Sequence, residues 1–343
     1  MVLAAALAAV WTLLCAWLVG ERTLHDRGRD QASRDTDALA KRTIESQQLS
    51  RRRLWRVALG PRSDAALVAA WELVRRDGPR LRLAATTGSR AMRLRALAVL
   101  ARGRDAKAVD LLRAAIAQGD ESTSRGLLRV VSDLSPVDAD ELLLETLVNG
   151  ALPRSRTATE LEPRTGRLHR ELIKLSRDPD AQLRYWAVTL LRREMEHRGP
   201  ADAVRARVTD GAPNVRAAVA EALGFAAAGS AVPLLQELLV DDVFYVRSHA
   251  ARAVAQSGDE LLVNALLPLL ADRNWWVRAA AKESLGALGE NGLMVAIAAL
   301  THPDAFARDS AIEIIAASGR QVDEVEFVRL AASALQSPEL AVA

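Results

Sequence analysis

Glu194 and His197 stand three residues apart, the E-x-x-H spacing that sets a carboxylate and an imidazole on one face of a helix. A di-metal centre in a helical bundle needs two such pairs and further carboxylates; this chain has one pair. Its other histidines, His25, His169, His249 and His302, are scattered. No lysine follows a glycine, which excludes a phosphate-cradling P-loop, and G-x-G-x-x-G, H-E-x-x-H and C-x-x-C are all missing. The single cysteine, Cys15, rules out an intramolecular disulfide. The E-x-x-H pair therefore reads as a solvated helix face. His249, two residues after Arg247, reads as a hydrogen-bonded, partly buried imidazole. No residue is assigned to catalysis, to a metal or to a cofactor.

The elements that would carry any site follow one rhythm. Arg184, Arg216, Arg247, Arg278 and Arg308 are separated by 32, 31, 31 and 30 residues. Four of them close the phrases DPDAQLR (178–184), DGAPNVR (210–216), DDVFYVR (241–247) and DRNWWVR (272–278). The leading Asp is placed to accept hydrogen bonds from loose backbone N–H groups where a helix starts. Leu183, Val215, Val246 and Val277 precede the arginines as buried positions. Behind them Ala187, Val219, Ala250, Ala281 and Ala311 share one slot. Leu191, Leu223, Val254, Leu285 and Ile315 share another, four residues on. Small residues let helices approach and large aliphatics fill the seam. A second apolar helix is predicted in each unit over 232–240, 263–271 and 294–301, and no strand pattern interrupts. A period near 31 means stacked helix pairs that bury a core together.

These phrases resemble the HEAT-repeat family in its short bacterial form, called PBS-lyase HEAT-like. The resemblance rests on Asp178/Leu183/Arg184, Asp210/Val215/Arg216, Asp241/Val246/Arg247 and Asp272/Val277/Arg278. The last unit departs, with His302 for the Asp and Ala307 for the hydrophobe. Upstream, Arg93 and Arg125 are 32 apart and continue the ladder more weakly, each followed by a second helix (105–118 and 136–149). Residues 151–166 carry two prolines and no helical face, so an irregular insertion is expected over 150–166, with a helix at 167–176. The expected fold is all-α, a right-handed α-α superhelix of HEAT-like units over 59–343. A transmembrane anchor (1–20) and a basic juxtamembrane stalk (21–58) come before it.

The anchor is read from residues 2–20, nineteen positions without a charge, close to the ~30 Å of a bilayer's hydrocarbon core. Basic residues follow the span and none precedes it. Positive flanks stay in the cytoplasm, so a single pass through the inner membrane with the C-terminal part cytoplasmic is expected. Charge is uneven: residues 21–110 hold 21 Lys and Arg against 11 Asp and Glu, whereas residues 111–343 hold 25 against 32. Arg22, Arg27, Arg29, Arg51, Arg52, Arg53 and Arg56 are candidates for contact with anionic lipid headgroups. Nucleic acid is not an expected partner, because no base-reading motif accompanies the charge.

Phe244, Tyr245, Trp275, Trp276 and Phe306 occupy neighbouring slots of successive phrases, and equal repeat positions line up in space. They form a candidate partner-binding stripe. Gln236, Leu267 and Ile297 are candidates for a groove on the second helices, accepting an amphipathic helix. The expected function is a membrane-tethered, non-catalytic scaffold or adaptor for a protein partner, an integral membrane enzyme or transporter such as an envelope glycosyltransferase. The resemblance also admits a HEAT-like lyase or a DNA-glycosylase-type enzyme. A third alternative is a structural subunit acting mainly through its transmembrane helix.

Overall fold

The computed structural model describes residues 31–39, 45–118, 121–195, 199–227 and 229–319, and among these there is no β-strand. No described helix is long and apolar enough to cross a membrane. The uncharged stretch 2–20 lies outside the described residues, as do Arg22, Arg27, Arg29 and His197. The chain divides into two compact units between Glu160 and Leu161.

In the first unit, residues 31–39 are helical (α1) and a 3-10 turn covers Ser46–Gln48. Then come α2 (Arg51–Ala58), α3 (Asp64–Thr87), α4 (Arg90–Arg102), α5 (Ala108–Gln118), α6 (Glu121–Val131), α7 (Pro136–Asn149) and α8 (Arg154–Leu161). Serines start three of these helices: Ser50, Ser63 and Ser135 each accept a backbone N–H three residues ahead, satisfying one of the loose donors of a first turn. Gly150, in the left-handed region at φ 63°, closes α7. The long α3 is bent at Asp77, two residues before Pro79, whose ring cannot continue the ladder.

Three expectations for this half are corrected. The stalk does not run to residue 58: Leu49, Leu54, Val57 and Ala58 are buried and α2 packs on α3. Fully buried Glu72 anchors this join. It pairs with Arg75 and Arg76, and Arg76 also donates to the carbonyls of Gln47 and Leu49. The insertion over 150–166 is helical. Its prolines start elements instead of breaking them: Pro153 stands just before α8, and Pro163 opens a 3-10 turn over Glu162–Arg167, where a missing N–H costs nothing. Thr157 and Ala158 make a buried face on α8. Third, Arg93 and Arg125 are exposed and form no ion pair among the described residues. Arginines of this half meet aspartates at other spacings, among them Arg82–Asp105 at 2.9 Å, Arg62–Asp133 at 2.8 Å and Arg102–Asp133 at 3.2 Å.

The second unit continues with α9 (His169–Leu175), α10 (Ala181–Leu191), α11 (Asp202–Arg205), α12 (Pro213–Leu223), α13 (Val232–Leu239), α14 (Phe244–Ser257), α15 (Glu260–Val263), α16 (Trp275–Ala287), α17 (Gly289–Ala299) and α18 (Ala305–Ala317). The first helices of the repeats form one layer, α10 on α12, α12 on α14, α14 on α16 and α16 on α18. The shared slots explain it. Ala187, Val219, Ala250, Ala281 and Ala311 have no exposed surface, and neither do Leu191, Leu223, Val254 and Leu285. Each buried Leu or Val contributes about 1.5–3 kcal/mol, and the alanines set how near the next helix can come.

The second helices are less regular. The helix expected over 263–271 breaks into α15 and 3-10 turns at Asn264–Leu266 and Pro268–Ala271. Pro233 sits in the first turn of α13 and is harmless there. The following helix starts earlier, capped by Asp259, so Pro268 falls in its interior, where its ring and missing N–H end the α-helical ladder.

Candidate functional site

The loops that open each first helix are built by one contact made three times. Arg184 donates through Nε and Nη2 to both carboxylate oxygens of Asp210, each at 2.8 Å. Arg216 does so to Asp241 at 2.6 and 2.8 Å, and Arg247 to Asp272 at 2.8 and 2.9 Å. The remaining nitrogen, Nη1, donates to the carbonyl of the aspartate six residues back in the same phrase. Each guanidinium thus ties its own loop to the loop of the next unit. Each of these aspartates also accepts the backbone N–H two residues on, at 2.8–2.9 Å, and so shapes the turn into the helix.

These pairs are largely withdrawn from water: Arg247 is 6% exposed and Asp210 6%. Burial alone would push the three carboxyls up. The paired arginine and the backbone N–H outweigh it and hold Asp210, Asp241 and Asp272 below the ordinary 3.8. They are charged, paired and structural.

The final rung differs. His302 fills the aspartate slot; its Nδ1 still accepts the N–H of Asp304 at 3.1 Å, but an imidazole gives Arg278 no carboxylate. Arg278 keeps its bond to the carbonyl of Asp272, and its guanidinium lies over the Phe306 ring, 4.3 Å from the centroid.

The aromatic residues stand immediately beside these clamps, at the first turns of α14, α16 and α18. Trp275, Trp276 and Phe306 are 56%, 52% and 57% exposed, and Phe244 is 39% exposed. The two indoles stack at 4.3 Å with planes 19° apart, whereas Phe244 and Tyr245 meet edge to face. Tyr245 is half-buried and donates its hydroxyl to Asn214 Oδ1 at 3.0 Å. The clamps at Asp241 and Asp272 fix the backbone under Phe244, Tyr245, Trp275 and Trp276, while the Phe306 ring is covered by the Arg278 guanidinium.

A feature absent from the sequence reading adjoins it. Tyr185 and Tyr245 wall a hollow of about 250 Å³ floored by Ala217 and Ala218. Glu221 and His249 pair on its rim, Oε1 to Nδ1 at 2.8 Å. The hydrogen bond from His249 holds the Glu221 carboxyl below its ordinary value against the opposing effect of burial. Tyr185 follows its arginine instead of preceding it, so a search of the slot before Val-Arg passes it by. His249 is half-buried and hydrogen-bonded, as its slot suggests.

The groove residues do not share a surface. Gln236 is exposed, Leu267 half-buried and Ile297 wholly buried. The break at Pro268 and the early start of α17 at Gly289 shift the helical phase from one unit to the next. The basic candidates also separate. Arg53 is bound to buried Asp35, and Arg51 pairs with Asp77 at 2.9 Å; Arg52 and Arg56 are exposed and pair with nothing among the described residues. Among the described residues no group of three or more His, Cys, Asp and Glu is placed to hold a metal ion.

Comparison with known proteins agrees with the repeat geometry. The family described as HEAT repeats matches residues 170–255 and 233–316. No curated protein sequence matches the chain. Among solved structures, the Escherichia coli protein YibA is 15% identical, covering 80% of this chain and 94% of its own, with a TM-score of 0.35. Human deoxyhypusine hydroxylase, solved with glycerol, is 17% identical over 86% of this chain and 99% of its own, TM-score 0.30. The CpcE–CpcF complex of phycocyanin lyase from Nostoc is 20% identical over 84% and 95%, TM-score 0.28. Likeness at this level carries no argument about activity. The family match and the clamp repeated at Asp210, Asp241 and Asp272 meet in one statement: residues 170–316 of this all-helical chain are a run of HEAT repeats.

Proposed function

We propose that the chain is a non-catalytic adaptor that holds a protein partner against the aromatic stripe of its HEAT repeats. The carrying observation is the exposure of Trp275, Trp276, Phe306 and Phe244 on consecutive helix starts, the first two and Phe244 over loops fixed by the arginine clamps. Large aromatics held out in water at one repeat position are costly on a surface with no other use, and they are the residue types that dominate binding energy at interfaces. The uncharged stretch 2–20 supports a membrane tether, and tethering raises the local concentration of integral membrane proteins. Such a tether favours a membrane enzyme or transporter as the partner, and the basic flank after residue 20 supports a cytoplasmic side for the repeats.

A photo-crosslinker placed at Phe306 in membranes identifies the partner, and binding is then measured with Trp275→Ala/Trp276→Ala. The double variant, with helicity checked by circular dichroism, weakens binding by about 30-fold or more, as loss of a central anchor does. Unchanged affinity in a folded variant removes the stripe from the function. Digestion of the repeats by protease added outside spheroplasts refutes the cytoplasmic placement.

A further inference from the structure

The first unit carries a second surface, unlike the aromatic stripe in both charge and position. Between α2 and α4 lies a shallow depression of about 680 Å³. Trp55, Leu59 and Met92 form its apolar part, with Leu59 36% and Met92 42% exposed. Arg52, Arg56 and Arg95 stand around them, all exposed and all without an ion-pair partner among the described residues. Neither α2 (RRRLWRVA) nor α4 (RAMRLRALAVLAR) contains an acidic residue.

This arrangement is unfavourable as it stands. Arg52 and Arg56 are four apart on one helix, where like charges repel. Arg51, Arg52 and Arg53 fill the first turn of α2, the end whose backbone dipole favours anions. Among the described residues two of the three are neutralised: Arg51 against Asp77 and Arg53 against Asp35. The arginines left over are those that ring the apolar patch. An anion there would relieve the repulsion and meet the helix dipole together.

We propose that this face docks on the surface of an acidic phospholipid bilayer, with phosphates at Arg52, Arg56 and Arg95 and the glycerol–acyl boundary at Trp55, Leu59 and Met92. A bilayer surface is the partner that supplies both chemistries side by side: anionic groups at headgroup level and apolar matter just beneath, with indole suited to the boundary. A nucleic acid offers the charge but nothing for Leu59 and Met92. The position in the chain agrees, since Arg51 follows the uncharged stretch 2–20 by thirty residues. The proposal rests on the membrane half of the reading above and is independent of the aromatic stripe. It means that the first unit lies against the bilayer through its own folded surface as well as through the segment before it.

The test uses the full chain with Cys15→Ala and Ala91→Cys, the introduced thiol bearing an environment-sensitive fluorophore. Ala91 is exposed, four residues before Arg95 on α4. A control probe replaces Leu261, which is exposed in the second unit. With vesicles of phosphatidylcholine plus phosphatidylglycerol the first probe shifts to the blue and the control does not. With phosphatidylcholine alone neither responds. In 1 M salt, where the screening length falls to about 3 Å, the response disappears. Each arginine near an anionic surface is worth about fivefold, so Arg52→Gln/Arg56→Gln/Arg95→Gln raises the acidic lipid needed by on the order of 100-fold. An equal response to both vesicles, or an unchanged triple variant, overturns the docking face. So does a response to inorganic phosphate or a DNA duplex with none to acidic vesicles. A chain that associates with both vesicles while its probe stays silent loses the docking face and keeps the tether; one that associates with neither loses both.

Discussion

Arg216 and Arg125 are both followed by apolar helices at nearly the same period, but the two halves of the molecule treat them differently. In the second half Arg216 is 16% exposed, bidentate on Asp241 and bonded to the carbonyl of Asp210. In the first half Arg125 points to water, and the aspartates are met from other places, Asp105 by Arg82 and Asp133 by Arg62 and Arg102. Two of those arginines close helices or loops at irregular spacing; none repeats. An arginine makes a rung when an aspartate arrives about 25 residues later at the matching turn, as Asp241 and Asp272 do for Arg216 and Arg247. The period of the arginine alone is not enough; the clamp needs two residue types in register.

The widest separation between the halves should appear on removing one arginine from each. Arg247→Ala leaves the buried carboxylate of Asp272 without its partner and also frees the carbonyl of Asp241. Breaking a buried pair on one side costs about 3–5 kcal/mol. Arg125→Ala removes an exposed side chain with no ion-pair partner among the described residues and changes stability by less than about 0.5 kcal/mol. Urea titrations of both variants check the contrast, and equal losses would mean that the clamp is ornament on an alanine-packed core.

Acid sharpens the same comparison. The folded values of Asp210, Asp241 and Asp272 lie below the ordinary 3.8, so their contribution is fully present above pH 3.8 and falls away as pH drops through the lower, folded values. In the Arg247→Ala variant, the largely buried Asp272 carboxylate loses its main counter-charge and resists ionising. Its penalty therefore belongs to the ionised form. The stability gap between wild type and variant should be widest near neutrality and shrink as pH falls through the variant's raised Asp272 value and on toward the lower wild-type value, whereas the Arg125→Ala gap stays near zero throughout. A gap that persists at pH 2.5 would assign the loss to packing of the arginine stem instead of to charge.

How much of this could be read beforehand depended on whether a feature lives within one phrase or between two. The buried slots of Ala250 and Val254 and the Asp-led turns follow from helical spacing alone, and they stand where the spacing puts them; the same spacing aligns the aromatic positions but does not say whether their rings are packed or exposed. The contacts between phrases did not follow. Arg93 keeps the period and has no aspartate partner among the described residues. Pro153 and Pro163 carry the signature of a loop and begin helical turns, because their effect depends on which side of the helix start they fall. Ile297 resembles Gln236 in register but is buried, since Pro268 reset the phase between them. The hollow at Tyr185 and Tyr245 was hidden for a related reason: its two walls belong to different slots of the repeat and meet only when the helices stack.

The smallest effect tests the rule where it fails inside the regular half. Arg278 has the phrase, the buried Val277 before it and the bond to its own loop carbonyl, but His302 stands where Asp210, Asp241 and Asp272 stand. If register of Arg and Asp is the whole requirement, His302→Asp should complete a fourth rung. The new carboxylate can accept the Asp304 N–H, as the imidazole Nδ1 does now, and can take Nε and Nη2 of Arg278. A charge-assisted pair is worth about 1.5–3 kcal/mol, against about 0.5–1 kcal/mol for the cation–π contact with Phe306 that it replaces. Part of the difference is returned in desolvating the carboxylate, so a net gain of about 1 kcal/mol is expected. It should be visible in a urea titration at pH 7 and gone below pH 3.8. Because Arg278 leaves the ring, Phe306 becomes freer, and the same variant should alter crosslinking from that position without touching Trp275 and Trp276. Gain without a pH dependence would mean that the last loop simply packs better with a smaller side chain, and that a rung requires a following unit to brace it.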